Sequence, residues 1–154
     1  MYKRQLRTEA GLPLYGHEMG GEHNRGVGDA GFRTYVKTYK PWFIGREAFL
    51  AQEEQRSSEV VRFRFTEKGI RMAHLGDPVV DKRGKTIGYV TSCAVDKDGH
   101  LTGQAYIDQK YTEVETPIFI FQSASDKPSK APAELSIGDK THLPNAALVV
   151  TRFP

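Results

Sequence analysis

With 154 residues, 38% of them hydrophobic and 27% charged, the chain has the composition of an ordinary globular protein long enough to bury a core. No apolar run approaches the roughly 20 residues that span a bilayer, and no apolar stretch of the signal-peptide kind opens the chain, so neither a membrane anchor nor a leader is expected. The single cysteine, Cys93, excludes an internal disulfide and fits a reducing, cytoplasmic setting.

A net charge of +3 would suit a nucleic-acid partner, but two of the cations, Lys3 and Arg4, lie in the opening Met1–Gln5. That stretch, MYKRQ, reads like the translation of a transposon sequencing adapter with a GTG codon taken as the start. Met1–Gln5 are therefore expected to be non-native and to add nothing to stability. Without Lys3 and Arg4 the charge falls from +3 to +1, and no nucleic-acid partner is expected.

Leu6–Gly16, LRTEAGLPLYG, begins as one or two helical turns that Gly11 and Pro13 end. Gly16–Gly31 is glycine-rich and irregular. It holds a literal G-x-G-x-x-G at Gly26–Gly31, but the dinucleotide fingerprint needs a strand before it, and GGEHNR is no strand. These glycines are read as turn residues. Pro41–Gly45 leads into Arg46–Arg56, REAFLAQEEQR, which places Ala48, Phe49 and Gln52 on one face and predicts a helix. Ser57 and Ser58 break the pattern and mark a domain boundary.

From Glu59 the period changes. Val61, Phe63 and Phe65 alternate with Arg62 and Arg64, the pattern of a half-buried strand. Further strands are predicted at Ile70–Leu75, Val79–Val80, Thr86–Val95, Leu101–Asp108, Pro117–Phe121, Ala133–Ile137 and Ala147–Arg152. Asp81–Gly84 and Asp96–Gly99 read as hairpin turns with glycine in the left-handed position, and Gln122–Lys130 as a polar loop. The fold class is mainly β. A small antiparallel barrel over residues 58–154 follows a helical and irregular lead-in over residues 6–57. The expected core is Val61, Phe63, Phe65, Ile87, Val90, Ala105, Ile107, Ile118, Ile120 and Val149.

Side-chain chemistry alone points to no catalytic set. His17, Glu18, Glu22 and His23 match no metal-ligand spacing, and His74, His100 and His142 are scattered over strand ends, so no metal site is predicted. Asp96–Gly99 opens like a calcium loop, but its glycine arrives too early and no glutamate follows at the required position. Cys93 falls in a core strand and reads as a small apolar residue. No G-x-S-x-G occurs.

Short segments in a fixed order add to this. LRTEAGLPLYG at Leu6–Gly16 resembles the LRLEAG-x-x-LYG stretch of glycine-cleavage T-proteins. GDAGF at Gly28–Phe32 resembles their EAGL segment, and FIGREAFL at Phe43–Leu50 their FIGREAL helix. VRFRF at Val61–Phe65 resembles the first strand of their C-terminal barrel. Pro78–Val80 with Ile87–Ser92 is similar to their PV…IG-x-VTSG signature, and GQAYID and TPIFIF to their last hairpins. The chain is thereby identified as the C-terminal part of a member of the T-protein (aminomethyltransferase) family, over essentially everything after Gln5.

The resemblance implies three domains around a cavity that holds tetrahydrofolate. An aminomethyl group on the lipoyl arm of a carrier, the H-protein, passes its one-carbon unit to folate and releases ammonia. The family's catalytic aspartate lies in the N-terminal half, so no catalytic residue is assigned here, and that half is an expected partner. By the same resemblance the folate-binding residues are Arg7, before the EAG stretch; Glu9, within it; Tyr15, of LYG; and Arg152, near the C-terminus. Arg7 would hold a pterin carbonyl or a carboxylate, Glu9 a pterin amine or Arg7 itself, and Tyr15 would stack or bond beside the ligand. Thr8, Asp29 and Cys93 depart from the family's leucine, glutamate and glycine, and Gln122–Asn145 is longer than usual. A divergent branch follows, in which the alternatives are a folate-dependent demethylase of sarcosine, dimethylglycine or sulfonium compounds, or a non-catalytic folate-binding relative.

Overall fold

The computed structural model of the protein describes residues 2–122 and 143–153. The lead-in carries two helices, α1 (Tyr2–Glu9) and α2 (Arg46–Gln55). Among the described residues six strands follow: β1 (Ser58–Lys68), β2 (Pro78–Val80), β3 (Thr86–Val95), β4 (His100–Asp108), β5 (Pro117–Ile120) and β6 (Asn145–Val150). They close into an antiparallel barrel in the order β1-β4-β3-β2-β5-β6, with β1 also paired to β6. All ten expected core residues are buried, none more than 8% exposed. Phe63 and Phe65, two apart on β1, face the same way and meet edge-on with centroids 5.4 Å apart; burying each ring contributes roughly 1.5–3 kcal/mol.

Turn chemistry sets the hairpins. In Asp81–Gly84 and Asp96–Gly99 the aspartate carboxylate accepts from backbone N–H groups two and four residues on. Gly84 and Gly99 both sit at φ +80°, where a side chain is strained. Gly103 answers a different need. Its Cα lies opposite Phe63 and Cys93, and a Cβ there would stand 2.3 Å from the Ser92 carbonyl oxygen and 2.5 Å from the Phe63 ring.

The structure corrects three expectations. Ile70–Leu75 is not a strand. Since β1 and β2 are not neighbours, the chain between them must cross the end of the barrel. It does so as an irregular arch between Gly69 (φ +74°) and Gly76 (φ +91°), tied down by Gly76 N–H to the Val90 carbonyl and His74 N–H to the Asp77 carboxylate. The apolar run that resembled a strand is an end-cap: Ala73 is buried and Ile70 packs on the core. Arg62, which the alternation places toward solvent, is only 9% exposed because the lead-in covers the outer face of β1. The first helix begins at Tyr2 rather than Leu6, and so runs through most of Met1–Gln5. The strand predicted at Ala133–Ile137 lies outside the described residues.

The lead-in is bonded to the barrel. Val60 N–H donates to the Asp29 carbonyl (2.7 Å) and the Gln104 amide donates to the Leu12 carbonyl (3.0 Å). Gly26–Gly31 forms turns, as expected: Gly26 N–H meets the Asp29 carboxylate, and Gly26 and Gly28 lie so close to Gln52 and Glu53 of α2 that a Cβ on either would clash.

Candidate functional site

Arg7 and Thr8 occupy the face of α1 turned to the barrel, and Thr8 is fully buried. Arg7 Nη1 donates to the Leu12 carbonyl (2.9 Å) and to Glu18 (3.2 Å), while Nη2 donates to Ser92 Oγ (2.8 Å). Glu18 is 0% exposed and accepts, besides Arg7, the Leu14 N–H (2.8 Å) and the Ser92 hydroxyl (2.5 Å). A β-bulge aims Ser92 this way. The β3–β4 register slips between Val90, opposite Ala105, and Ser92, opposite Gln104. A charge this deep is tolerable only when paired and hydrogen-bonded, and Glu18 is both.

Arg7, His17, His74, Ser92 and Cys93 border a hollow of about 150 Å³ beside this network. Burial pushes the Cys93 thiol up to about 11, so it is protonated at neutral pH and acts as the apolar residue the sequence suggests. Among the described residues no group of three or more histidine, cysteine, aspartate or glutamate side chains is placed to hold a metal ion.

A larger cleft, about 540 Å³, opens on another side of α1. Leu6, Glu9 and Ala10 form one wall, Arg62 and Arg64 of β1 the floor, Asp96–Asp98 one rim, and Val150 and Thr151 at the end of β6 the other. Arg62 donates Nη1 to the Thr151 carbonyl (3.0 Å), and its buried Nε has no hydrogen-bond partner. Burial pulls the Arg62 guanidinium down, against the opposing charge of Glu9. Arg64 is engaged by Asp96 (2.9 Å) and Asp98 (3.1 Å). The cleft thus offers the Glu9 carboxylate, the Lys97 cation and apolar patches at Leu6, Ala10 and Val150. Such a surface combines apolar patches with charged and hydrogen-bonding side chains.

The four residues singled out from the sequence do not converge on one point. Glu9 lines the cleft. Arg7 lies in the Glu18 network. Arg152 follows Thr151 of the cleft, but its side chain turns away to donate to the Ala30 carbonyl (2.8 Å) over the Phe32 ring (5.2 Å), where burial pulls it down to about 10. Gly11, at φ +71°, lets the chain after α1 close on the Arg152 carbonyl; a Cβ there would be 2.3 Å from that oxygen. Tyr15 is 80% exposed, its ring against Gly20. Two important residues escaped sequence reasoning. Glu18 was weighed only as a metal ligand, because its partner Ser92 is 74 residues away. Arg25 is buried over the Tyr106 and Tyr89 rings (4.4 and 5.3 Å) and donates to the His17 carbonyl; nothing local marks it.

Comparison with known proteins gives consistent results. The chain is 37% identical over 134 residues to an aminomethyltransferase of Thermoanaerobacter sp. (strain X514), a match covering 82% of this chain and 33% of that protein. It is 41% identical over 88 residues to an aminomethyltransferase of Desulfitobacterium hafniense (strain DSM 10664 / DCB-2), covering 56% of this chain and 23% of that protein. The crystal structure of glycine cleavage system aminomethyltransferase T from Bartonella henselae shares the fold, with a TM-score of 0.71 at 21% identity over 97% of this chain and 37% of that one. No protein-family model matches. The chain therefore spans about a third or less of the length of these curated relatives.

Proposed function

Because the chain belongs to the aminomethyltransferase family and corresponds to the C-terminal part of its T-proteins, we propose that it forms one portion of a tetrahydrofolate-dependent aminomethyltransferase. The reaction moves a one-carbon unit from an aminomethyl group on a lipoyl carrier to tetrahydrofolate and releases ammonia. The observation that carries this reading is the 37% identity over 134 residues to an aminomethyltransferase. A cytoplasmic setting belongs to the same proposal; among the described residues no helix is long and apolar enough to cross a membrane.

Tetrahydrofolate has ring amines at one end and carboxylates at the other, and the cleft beside α1 suits both. Glu9 offers an acceptor for an amine. The Lys97 cation at the rim suits a carboxylate. When bound, tetrahydrofolate supplies the nitrogen that receives the one-carbon unit; this chain binds and orients. Arg7 acts by position: through Glu18 and Ser92 it fixes the helix that presents Glu9. Arg152 holds the end of β6 against Ala30. Tyr15 stands free to meet a ligand or surface from the rest of the enzyme.

The cleft is one open wall, whereas small-molecule sites work by enclosing most of the ligand. The rest of the enzyme is needed to close it and to bring the electrostatic support that the transfer requires. The test is a grafted protein, in which this chain replaces the matched third of the Thermoanaerobacter relative. Ammonia release from an aminomethyl-lipoyl donor, dependent on tetrahydrofolate, is the expected result. Turnover only with sarcosine, dimethylglycine or a sulfonium donor would replace the proposed donor. No folate-dependent turnover with any of them would overturn the reading.

A further inference from the structure

We propose that the loop Thr38–Arg46, with Tyr35 beside it, is the docking surface for the portion of an aminomethyltransferase that lies outside this chain's match; the inference rests on the functional reading above. Within ten residues of chain, Tyr35 is 61% exposed, Tyr39 79%, Trp42 76% and Ile44 90%. Single exposed apolar residues need no explanation, but a cluster of large ones marks an interaction surface. Tryptophan and tyrosine are also the residues that most often dominate binding energy at interfaces.

The segment is held in shape rather than trailing. Arg46 donates to the Thr38 carbonyl (3.4 Å) and closes the loop at its base, Lys40 N–H donates to the Lys37 carbonyl (3.0 Å), and Gly45 at φ +85° turns the chain into α2. At the other end Tyr35 and Phe32 meet Phe153 edge-on, at 5.9 and 5.5 Å, and fasten the segment to the end of the barrel chain. A backbone already held in shape loses little freedom on binding, which favours the loop as an anchor.

Two observations select the occupant. The Bartonella henselae structure matches 97% of this chain, lead-in included, with only 37% of its own length, so the same arrangement of loop and barrel exists inside a chain with much more protein to place. The charge of the loop is predominantly positive as well. No acidic residue occurs between Asp29 and Glu47, and Lys37 and Lys40 stand exposed around the aromatic residues, while Arg33 is paired with Glu53 (3.1 Å). The complementary surface is therefore apolar at its centre with an acidic rim. A second copy of this chain would oppose cation to cation there.

Trp42 is the only tryptophan of the chain and reports directly. Acrylamide quenching of its emission is compared between the isolated chain and the grafted protein, with every other tryptophan of the graft replaced by phenylalanine. Free quenching in the isolated chain and strong protection in the graft are expected. Ile44→Asp should leave the unfolding midpoint of the isolated chain unchanged. It should also weaken binding of the isolated chain to the remaining portion of the relative, supplied as a separate polypeptide, by at least about tenfold. Trp42 equally quenched in a folded graft would overturn the proposal. So would a graft that does not fold, or protection of Trp42 in the isolated chain that rises with its concentration as it dimerises. Tetrahydrofolate binding measured on the same graft separates the two readings: a protected Trp42 without folate binding keeps the docking surface and removes the function.

Discussion

Glu18 carries a buried charge in the lead-in. It is fully buried and meets Arg7, Ser92 and the Leu14 N–H at once. Glu18→Ala strands the Arg7 guanidinium and should lower stability by about 3–5 kcal/mol, read as a shift of the urea midpoint. Replacing Arg7 and Glu18 together by leucine and methionine should cost less than Glu18→Ala alone, because no buried charge is then left unpaired. Cys93 makes a second residue-scale test. Its thiol is held up to about 11 by burial, above an ordinary value near 9. The folded state keeps the proton longer than the unfolded one. The contribution to stability is therefore full below about 9 and is lost as pH rises from about 9 toward about 11. A thiol reagent at pH 8 should leave native Cys93 unmodified and label it rapidly in urea; fast native labelling would show that the thiol is not held as described. The single, unactivated cysteine in a strand was readable from sequence, since its neighbours carry no histidine. The Arg7–Glu18–Ser92 set was not, because it depends on a one-residue bulge that brings β3 to the lead-in.

Strands and turns were the most legible elements, and for physical reasons. Two-residue alternation fixes which face of β1 is inward, and the aspartate–glycine turns fix where β2–β3 and β3–β4 reverse. The Ile70–Leu75 arch was misread because its run of apolar residues resembles a strand's, while the ladder order that denies it a neighbour is a property of the closed barrel. Arg62 was misplaced because alternation reports only that two faces differ, and the cover over the outer face comes from residues more than thirty positions earlier. Glycines separate the two reasons for their use. Gly103→Ala forces a Cβ onto the Phe63 ring and the Ser92 carbonyl, and should cost at least about 1–3 kcal/mol. Gly99→Ala meets open space and only the strain of φ +80°, roughly 1–2 kcal/mol. Equal midpoints for the two variants would show that the Gly103 contact relaxes freely. Deleting Met1–Gln5 should leave the midpoint unchanged, since Arg7 and Thr8, which face the barrel from α1, lie after the cut; a substantial fall would mean that the first turn of α1 matters in its own right.

At the scale of the molecule, a closed barrel is joined to a lead-in that covers one of its sides and leaves an open cleft and an uncovered aromatic loop. Family membership was legible because its motifs are local and keep their order. The division of labour among the four residues drawn from that resemblance was not, because Glu9 and Arg7 are two apart on a short helix and point to different sides of it. Calorimetry with tetrahydrofolate tests the central claim that this chain supplies one wall of a folate site. The isolated chain should bind weakly, with a Kd on the order of 1 mM, about 4 kcal/mol. The grafted protein should bind far more tightly, and Glu9→Gln in the graft should remove about 1.5–3 kcal/mol of that affinity, as for a hydrogen bond to a charged group. Micromolar binding by the isolated chain, or a graft whose affinity is untouched by Glu9→Gln, would contradict the account.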